Sequence, residues 1–462
     1  MLKRKQFGEN FKWGVTISAF QNEGAAQSDG KGTSIWDTFT ADRRKIKNED
    51  QIGETASFYK KYKEDIALTK KLGFDTFRFS ISWPRIYPQG MGELNSHGID
   101  FYNNVINTCL KEGLTPFITL YHWDLPQALE DKGGWTNRDI LKWFSNYVST
   151  CVCHFGDRVK NWIVMNEPMT FIGLGYFNSY HAPERKGVNT FLRAAHHAVL
   201  CMAEGGRLIR SHQPEANIGV ALSCSYIKPI KKTPKHIRAA RRTKAMLNRF
   251  FLEPLLGLGY PTDVMPGLNI IKTHFKPGDA QRMAFDFDFI GLQYYFRVVA
   301  KHSLFPPILF AKEVHPTMRK ANLNSMNLDT YPQGLGQILK FYNSYPQIKS
   351  IILSESGVCY PDYPVANRVH DARRAKYHQQ ILKQVKKARR QHIPINGYFV
   401  WTLVDNFEWR EGFEPRFGLV FTNFETQERI IKHSGKWFQQ FLCKSTTNSL
   451  TNRYNNQQMM KK

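Results

Sequence analysis

The 462-residue chain is predicted to adopt an α/β fold, a single (β/α)8 barrel of the TIM type with long βα loops around the active-site mouth. Three observations lead there. Eight short apolar runs recur along the chain with helical patterns between them, two of the runs deliver a glutamate at their C-terminal end, and no interior linker or short-period repeat divides the sequence.

The runs are FKWGVTIS (11 to 18), FDTFRFSIS (74 to 82), TPFITLY (115 to 121), NWIVMN (161 to 166), NIGVAL (217 to 222), DFIGLQYY (288 to 295), SIILSE (350 to 355) and NGYFVWTL (396 to 403). Short continuous apolar runs suit strands covered on both faces. Eight is the number that closes a parallel barrel. Between them, segments such as FYKKYKEDIALTKKLG (58 to 73) and DFYNNVINTCLKEG (100 to 113) carry helical patterning and stop on Gly, a common helix terminator. Alternation of strand and helix places a parallel sheet inside and helices outside. The intervals 19 to 73 and 223 to 287 exceed simple crossovers and are expected to carry extra loops around the mouth.

A hydrophobic content of 42% supports one large core, read as a catalytic domain over residues 1–443. The polar, Asn/Gln-rich segment 444–462 reads as a disordered tail. The first residues, MLKRKQFGENFKWG, lack an apolar signal region, and no segment approaches the roughly 18 apolar residues of a membrane span. Seven cysteines, odd in number and without C-x-x-C spacing, read as reduced thiols. A cytoplasmic protein without membrane association is the expectation.

The net charge of +25 raises nucleic-acid binding as a possibility. Its distribution argues otherwise. In RVHDARRAKYHQQILKQVKKARR (368 to 390), Ile381, Leu382, Val385 and Ala388 fall at helical spacing and basic residues fill the rest, the pattern of an outer helix with a solvated face. No specific nucleic-acid partner is expected. His196 and His197 are adjacent and cannot share a helix face as a metal-binding i, i+4 pair would. With no Gly-rich phosphate loop either, neither metal nor cofactor is expected.

The chemistry concentrates at the strand ends. Pro168 cannot donate to a ladder and should both end the fourth strand and push Glu167 toward an extended backbone. One carboxylate at a strand tip is most simply structural; a second, Glu355, ends the seventh run. In a barrel all such ends open on the face that carries the active site. A facing pair of carboxylates is the equipment for glycoside hydrolysis. Polar and aromatic residues gather at other strand ends, in SAFQNEGA, YHWDLPQ, LQYYF and WTLVDNFEW. Aromatic rings stack on sugar C–H faces while amides, imidazoles and carboxylates bind hydroxyls.

Together FKWGVTISAFQNEGA, GKGTSIWDTF, RFSISWPRI, TLYHWDLPQ, FGDRVKNWIVMNEP, DFIGLQYY, LSESG and WTLVDNFEW with RFGLV resemble glycoside hydrolase family 1, the β-glucosidase and 6-phospho-β-glucosidase family. The resemblance runs from about residue 7 to 440. It implies a retaining β-glycosidase that hydrolyses terminal β-D-glucosides by double displacement. Glu167, in the N-E-P motif, would be the acid/base and Glu355 the nucleophile. Arg78 would hold Glu355 anionic, Tyr295 would orient it, and Asn166 would bind the sugar 2-hydroxyl. Gln21, His122, Trp123, Trp401, Glu408, Trp409 and Phe417 would complete the glycone pocket.

Glu408 stands where phospho-sugar members of the family lack a Glu-Trp pair, and a carboxylate there repels a 6-phosphate. A 6-phospho-β-glucosidase remains the alternative, to be separated by a cationic pocket beside Glu408; a catalytically weak sugar-binding protein is another. The chain departs from the family pattern at Ser356 for the Asn of T-E-N-G, Gln293 for the Asn of N-Y-Y, Ser57-Phe58 for Asp-His, and Leu328 for a tryptophan. Gln293 would shift an amide close to the nucleophile.

Overall fold

The computed structural model describes residues 2–443, so the reading of 444–462 as a tail lies outside the described residues. Strands β1 (Lys12–Thr16), β2 (Thr76–Ser80), β3 (Thr115–Thr119), β4 (Asn161–Asn166), β5 (Asn217–Pro229), β6 (Phe289–His302), β8 (Ile351–Ser356) and β9 (Ile395–Trp401) pair in parallel. The β5–β6 and β1–β9 pairings close the barrel. A short β7 (Ala311–Glu313) runs antiparallel to the far end of β6, and β10 (Val420–Thr422) pairs with β11 (Arg429–Ile431) in a separate antiparallel ribbon.

Each apolar run identified in the sequence lies on a barrel strand. The structure adds a feature at β5 and β6: both continue past the barrel, in register from Tyr226↔Arg297 to Pro229↔Ala300. Residues 223–229 belong to strand, although the sequence reading had placed them in the loop-bearing interval. Their mixed polarity, with Tyr226 and Ile227 only partly covered and Lys228 exposed, hides the strand from an apolar-run criterion.

The barrel interior is packed by Phe117, Ile163, Ala221, Phe289, Ile352 and Phe399, one from each of six strands and all buried. Room for the phenylalanine rings comes from glycines facing them. A Cβ on Gly14 would lie 2.5 Å from the Phe399 ring and one on Gly219 would lie 2.4 Å from Phe289. Large and small residues thus alternate across the interior, and the filled barrel holds its strand ends rigidly.

Helices Phe58–Lys71, Ser96–Lys111, Ile140–Phe155, Val188–His212 and Ala372–Arg389 surround the sheet. The first two are followed by Gly73 and Gly113 at φ +88° and +66°, the left-handed conformation that ends helices. In Ala372–Arg389 the residues Ile381, Leu382, Val385 and Ala388 are buried while Lys383 and Lys387 face solvent. This helix is the basic outer helix expected from the sequence.

Beyond β9 the chain turns back over the mouth, held by a buried ion cluster. Lys432 Nζ bonds Asp405 at 2.7 Å and Asp362 at 2.6 Å; Arg374 bonds Asp362 at 2.7 Å and pairs with Asp371. Asp405 also accepts from the Gly418 amide, so the loop between them, which carries Glu408, Trp409 and Phe417, is tied at its base. Charges buried this deeply are stable only as a complete set. Lys432→Met, which leaves two carboxylates short of a cation, is expected to cost about 3 to 5 kcal/mol. The check is a lowered thermal unfolding midpoint, and an unchanged midpoint would contradict this role.

Candidate active site

At the C-terminal ends of the strands lies a cavity of about 570 Å³. Gln21, His122, Trp123, Asn166, Glu167, Tyr295, Glu355, Trp401, Glu408, Trp409 and Phe417 all line it. Arg78 is the one sequence-identified residue that does not. It is 1% exposed and reaches the site from behind, out of the β2 strand.

Its guanidinium organises what stands in front of it. Nη1 donates to Glu355 Oε1 at 2.7 Å and to the Ser354 carbonyl at 2.9 Å. Nη2 donates to Asn166 Oδ1 at 2.5 Å, and Nε to Thr119 Oγ1 at 3.0 Å. Tyr295 adds a hydroxyl donor to the other Glu355 oxygen at 2.7 Å. Both oxygens of Glu355 therefore accept hydrogen bonds, one of them charge-assisted.

A guanidinium only donates, so the Asn166 atom it meets must be the oxygen. Asn166 Oδ1 also accepts from Gln293 Nε2 at 2.6 Å, while Asn166 Nδ2 faces His122 Nε2 at 3.3 Å. That nitrogen of His122 must accept, which puts the ring proton on Nδ1. Two atoms at the ends of this chain are left buried without a protein partner: His122 Nδ1, a donor, and Gln293 Oε1, an acceptor. Both residues line the cavity.

Glu167 enters differently from the sequence expectation. Its backbone is at φ +45°, ψ +61°, in the left-handed region rather than extended. Its N–H donates to the Ala221 carbonyl on β5 at 2.8 Å, and its carbonyl accepts from Thr170 at 2.9 Å in the short helix that Pro168 opens. Tertiary bonds thus override the local preference, at a cost of about 1 to 2 kcal/mol for a residue with a side chain. The strand nevertheless ends at Asn166, as Pro168 predicts.

Burial and then the charge of Glu355 push the Glu167 carboxyl up to about 8. Burial raises Glu355 as well, but the Arg78 charge and the Tyr295 and Arg78 hydrogen bonds oppose it. Glu408, which accepts from Gln21 Nε2 at 3.3 Å, is raised to about 8 by burial and by Glu355 and Glu411. Burial, and secondarily Arg78, hold His122 well below the usual imidazole range, so it is neutral.

Trp409 stacks on Trp123 with centroids 4.5 Å apart and is backed by Trp36 at 4.5 Å. Trp123 Nε1 donates to the Asn166 carbonyl at 2.9 Å, tying the aromatic wall to the strand that bears the carboxylate. Ser356 is buried against Tyr377, 3.2 Å from its hydroxyl, and does not line the cavity. Leu328 does line it, beside Met326. Sequence reasoning missed Met169, Leu174, Phe177, Tyr180 and His181, which form an apolar wall on the segment after β4. The aromatic density of PMTFIGLGYFNSYH was the available signal.

Comparison with known proteins agrees with this architecture. A family model described as glycosyl hydrolase family 1 matches residues 3–447. Beta-glucosidase A of Thermotoga maritima is 38% identical over 436 residues, covering 94% of this chain and 97% of its own. Beta-glucosidase 26 of Oryza sativa is 34% identical, covering 97% and 92%. A solved structure of the beta-glucosidase from Thermotoga maritima in complex with deoxynojirimycin superimposes with a TM-score of 0.91 at 37% identity, covering 95% of this chain and 98% of that one. With a family match over nearly its whole length, a barrel of the same form and paired carboxylates at the barrel mouth, the chain belongs to glycosyl hydrolase family 1.

Proposed function

We propose that the cavity hydrolyses terminal β-D-glucosides with retention of configuration, with Glu355 as nucleophile and Glu167 as acid/base. The observation that carries the assignment is the unequal bonding of the two carboxylates. Glu355 accepts from Arg78 and Tyr295, bonds that favour its anion, whereas among the described residues no cation is bonded to Glu167. One proton shared by the pair therefore resides on Glu167.

In the first step a Glu355 oxygen attacks the anomeric carbon, the glycosidic C–O bond breaks, and the Glu167 proton passes to the leaving oxygen. In the second, Glu167 takes a proton from water, the resulting hydroxyl bonds to the anomeric carbon, and the ester bond to Glu355 breaks. Arg78 and Tyr295 orient the nucleophile. Asn166, with its oxygen occupied by two donors, offers only N–H to the sugar, which suits the 2-hydroxyl. Gln21, His122, Glu408 and the Trp401, Trp409, Trp123 and Phe417 rings take the other glycone hydroxyls and faces.

A plain rather than phosphorylated sugar is supported by the charge of the lining. Four acidic side chains, Glu167, Glu355, Glu408 and Glu411, line the cavity, and among the described residues no Lys or Arg does. A 6-phosphate would find no cation there. The relatives that carry beta-glucosidase names point to the same glycone. The catalytic domain is read as residues 1–443, acting on small-molecule glycosides, with no specific nucleic-acid or membrane partner. Among the described residues no helix is long and apolar enough to cross a membrane. The buried, unbridged thiols of Cys109, Cys151, Cys201, Cys224 and Cys359 support a cytoplasmic setting.

The direct test is initial rates on an aryl β-glucoside and its 6-phosphate. The plain glucoside is expected to be turned over and the phosphate disfavoured; the reverse preference would overturn the glycone assignment. The pH profile follows from the sign of the Glu167 shift. Its acid form exists below about 8, so kcat/KM should fall as pH rises through that value. Glu167→Gln should abolish this limb and slow poor leaving groups by roughly 10² to 10⁴, while Glu408→Gln leaves the limb in place. Retention of the limb in Glu167→Gln would assign the acid elsewhere.

Gln293→Met keeps the shape and removes both the bond to Asn166 and the unpartnered oxygen. A loss of roughly tenfold in kcat/KM is expected on an aryl glucoside, the scale of one hydrogen bond, and much less on the 2-deoxy analogue. Equal losses on both substrates would show that Gln293 does not act through the 2-hydroxyl.

A further inference from the structure

A second cavity, of about 490 Å³, lies on the flank of the barrel and shares no lining residue with the active site. It is formed where the loop after β3 (residues 132–138), the helix Val188–His212 and the segment 273–276 meet. Its charged and titratable lining is all cationic or imidazole: Lys132, Arg138, Arg193, Lys276, His197 and His274.

Among the described residues, ion pairing accounts for one of these cations. Arg138 is bonded through both terminal nitrogens to Asp279, at 2.7 and 2.5 Å. Asp279 also accepts from His196 at 3.0 Å and from the Lys276 amide at 2.8 Å, so its acceptor capacity is occupied from the protein side. Among the described residues no hydrogen bond or ion pair engages the side chains of Lys132, Arg193 or Lys276. The charge of Arg193 reaches both His197 and His274. His197 is 3% exposed and its Nδ1 donates to the Trp135 carbonyl at 2.9 Å. His274 presents a buried Nε2 with no partner.

Like charges gathered around a concavity repel one another and are relieved by an anion. A buried polar nitrogen without a partner calls for a ligand or water to satisfy it. The volume lies within the range of small-molecule sites, and several cations spread around it match a ligand carrying more than one oxyanion. We infer that this flank cavity is a binding site for a small polyanion bearing clustered phosphates, gripped by Lys132, Arg193 and Lys276. It uses part of the excess positive charge that glycoside chemistry leaves without a purpose.

The test is calorimetric titration of the full chain with tripolyphosphate at ionic strength held constant with chloride, so that counterion effects are matched. Saturable binding with one site per chain is expected. The double variant Arg193→Gln/Lys276→Gln should weaken it by about tenfold or more, while Lys383→Gln/Lys387→Gln, which removes the same charge from the outer helix, leaves it unchanged. Hydrolysis of an aryl glucoside by each variant verifies that the fold is intact, since neither pair touches the active site. Absence of saturable binding, or equal weakening by the two variants, would overturn the inference.

Discussion

The site depends on one buried guanidinium. Arg78 is surrounded by protein, so its charge can be held there only by acceptors that are themselves fixed, and it finds them on three other strands: Thr119 on β3, Asn166 on β4, and Ser354 and Glu355 on β8. Because it can only donate, it also determines which way its neighbours point. Asn166 must turn its oxygen inward, Gln293 must meet that oxygen with its nitrogen, and His122 must carry its proton on Nδ1. A single cation thereby decides the charge on Glu355 and the donor or acceptor character of three surrounding groups.

This arrangement needs the barrel behind it. Strand ends hold such distances only if the strands cannot slide, and the rings of Phe117, Phe289 and Phe399, seated against Gly14 and Gly219, fill the interior between them. The return loop is secured separately, by the Lys432, Arg374, Asp362 and Asp405 cluster, so that Glu408 and Trp409 face the strand-borne carboxylates. The molecule thus separates its charges. Carboxylates line the cavity, while most of the unneutralised lysines and arginines lie on the outside.

Much of this was legible in the sequence, for identifiable reasons. Barrel strands are apolar on both sides and short, so they stand out as runs, and the polar residue at the end of each run marks the mouth; Glu167 and Glu355 could be placed that way without coordinates. The outer helix Ala372–Arg389 was legible because its buried residues keep a helical period. Other features depend on distant partners and were not. The left-handed backbone at Glu167 requires the Ala221 carbonyl from β5, the continuation of β5 and β6 requires each to pair with the other, and the free oxygen of Gln293 requires the donor identity of Arg78 four strands away across the barrel. The wall formed by Met169 to His181 follows from how one segment folds over the mouth, which local propensity does not encode.

The central claim is that Glu355, held anionic by Arg78 and Tyr295, forms the covalent bond to the sugar. Incubation with a 2-deoxy-2-fluoro-β-glucoside bearing an activated leaving group, followed by mass spectrometry of the digested protein, tests it most directly. The account predicts one fluoroglucosyl unit attached to Glu355, with loss of activity in step with labelling. A label on any other residue, or turnover with inverted configuration and no label, would contradict it.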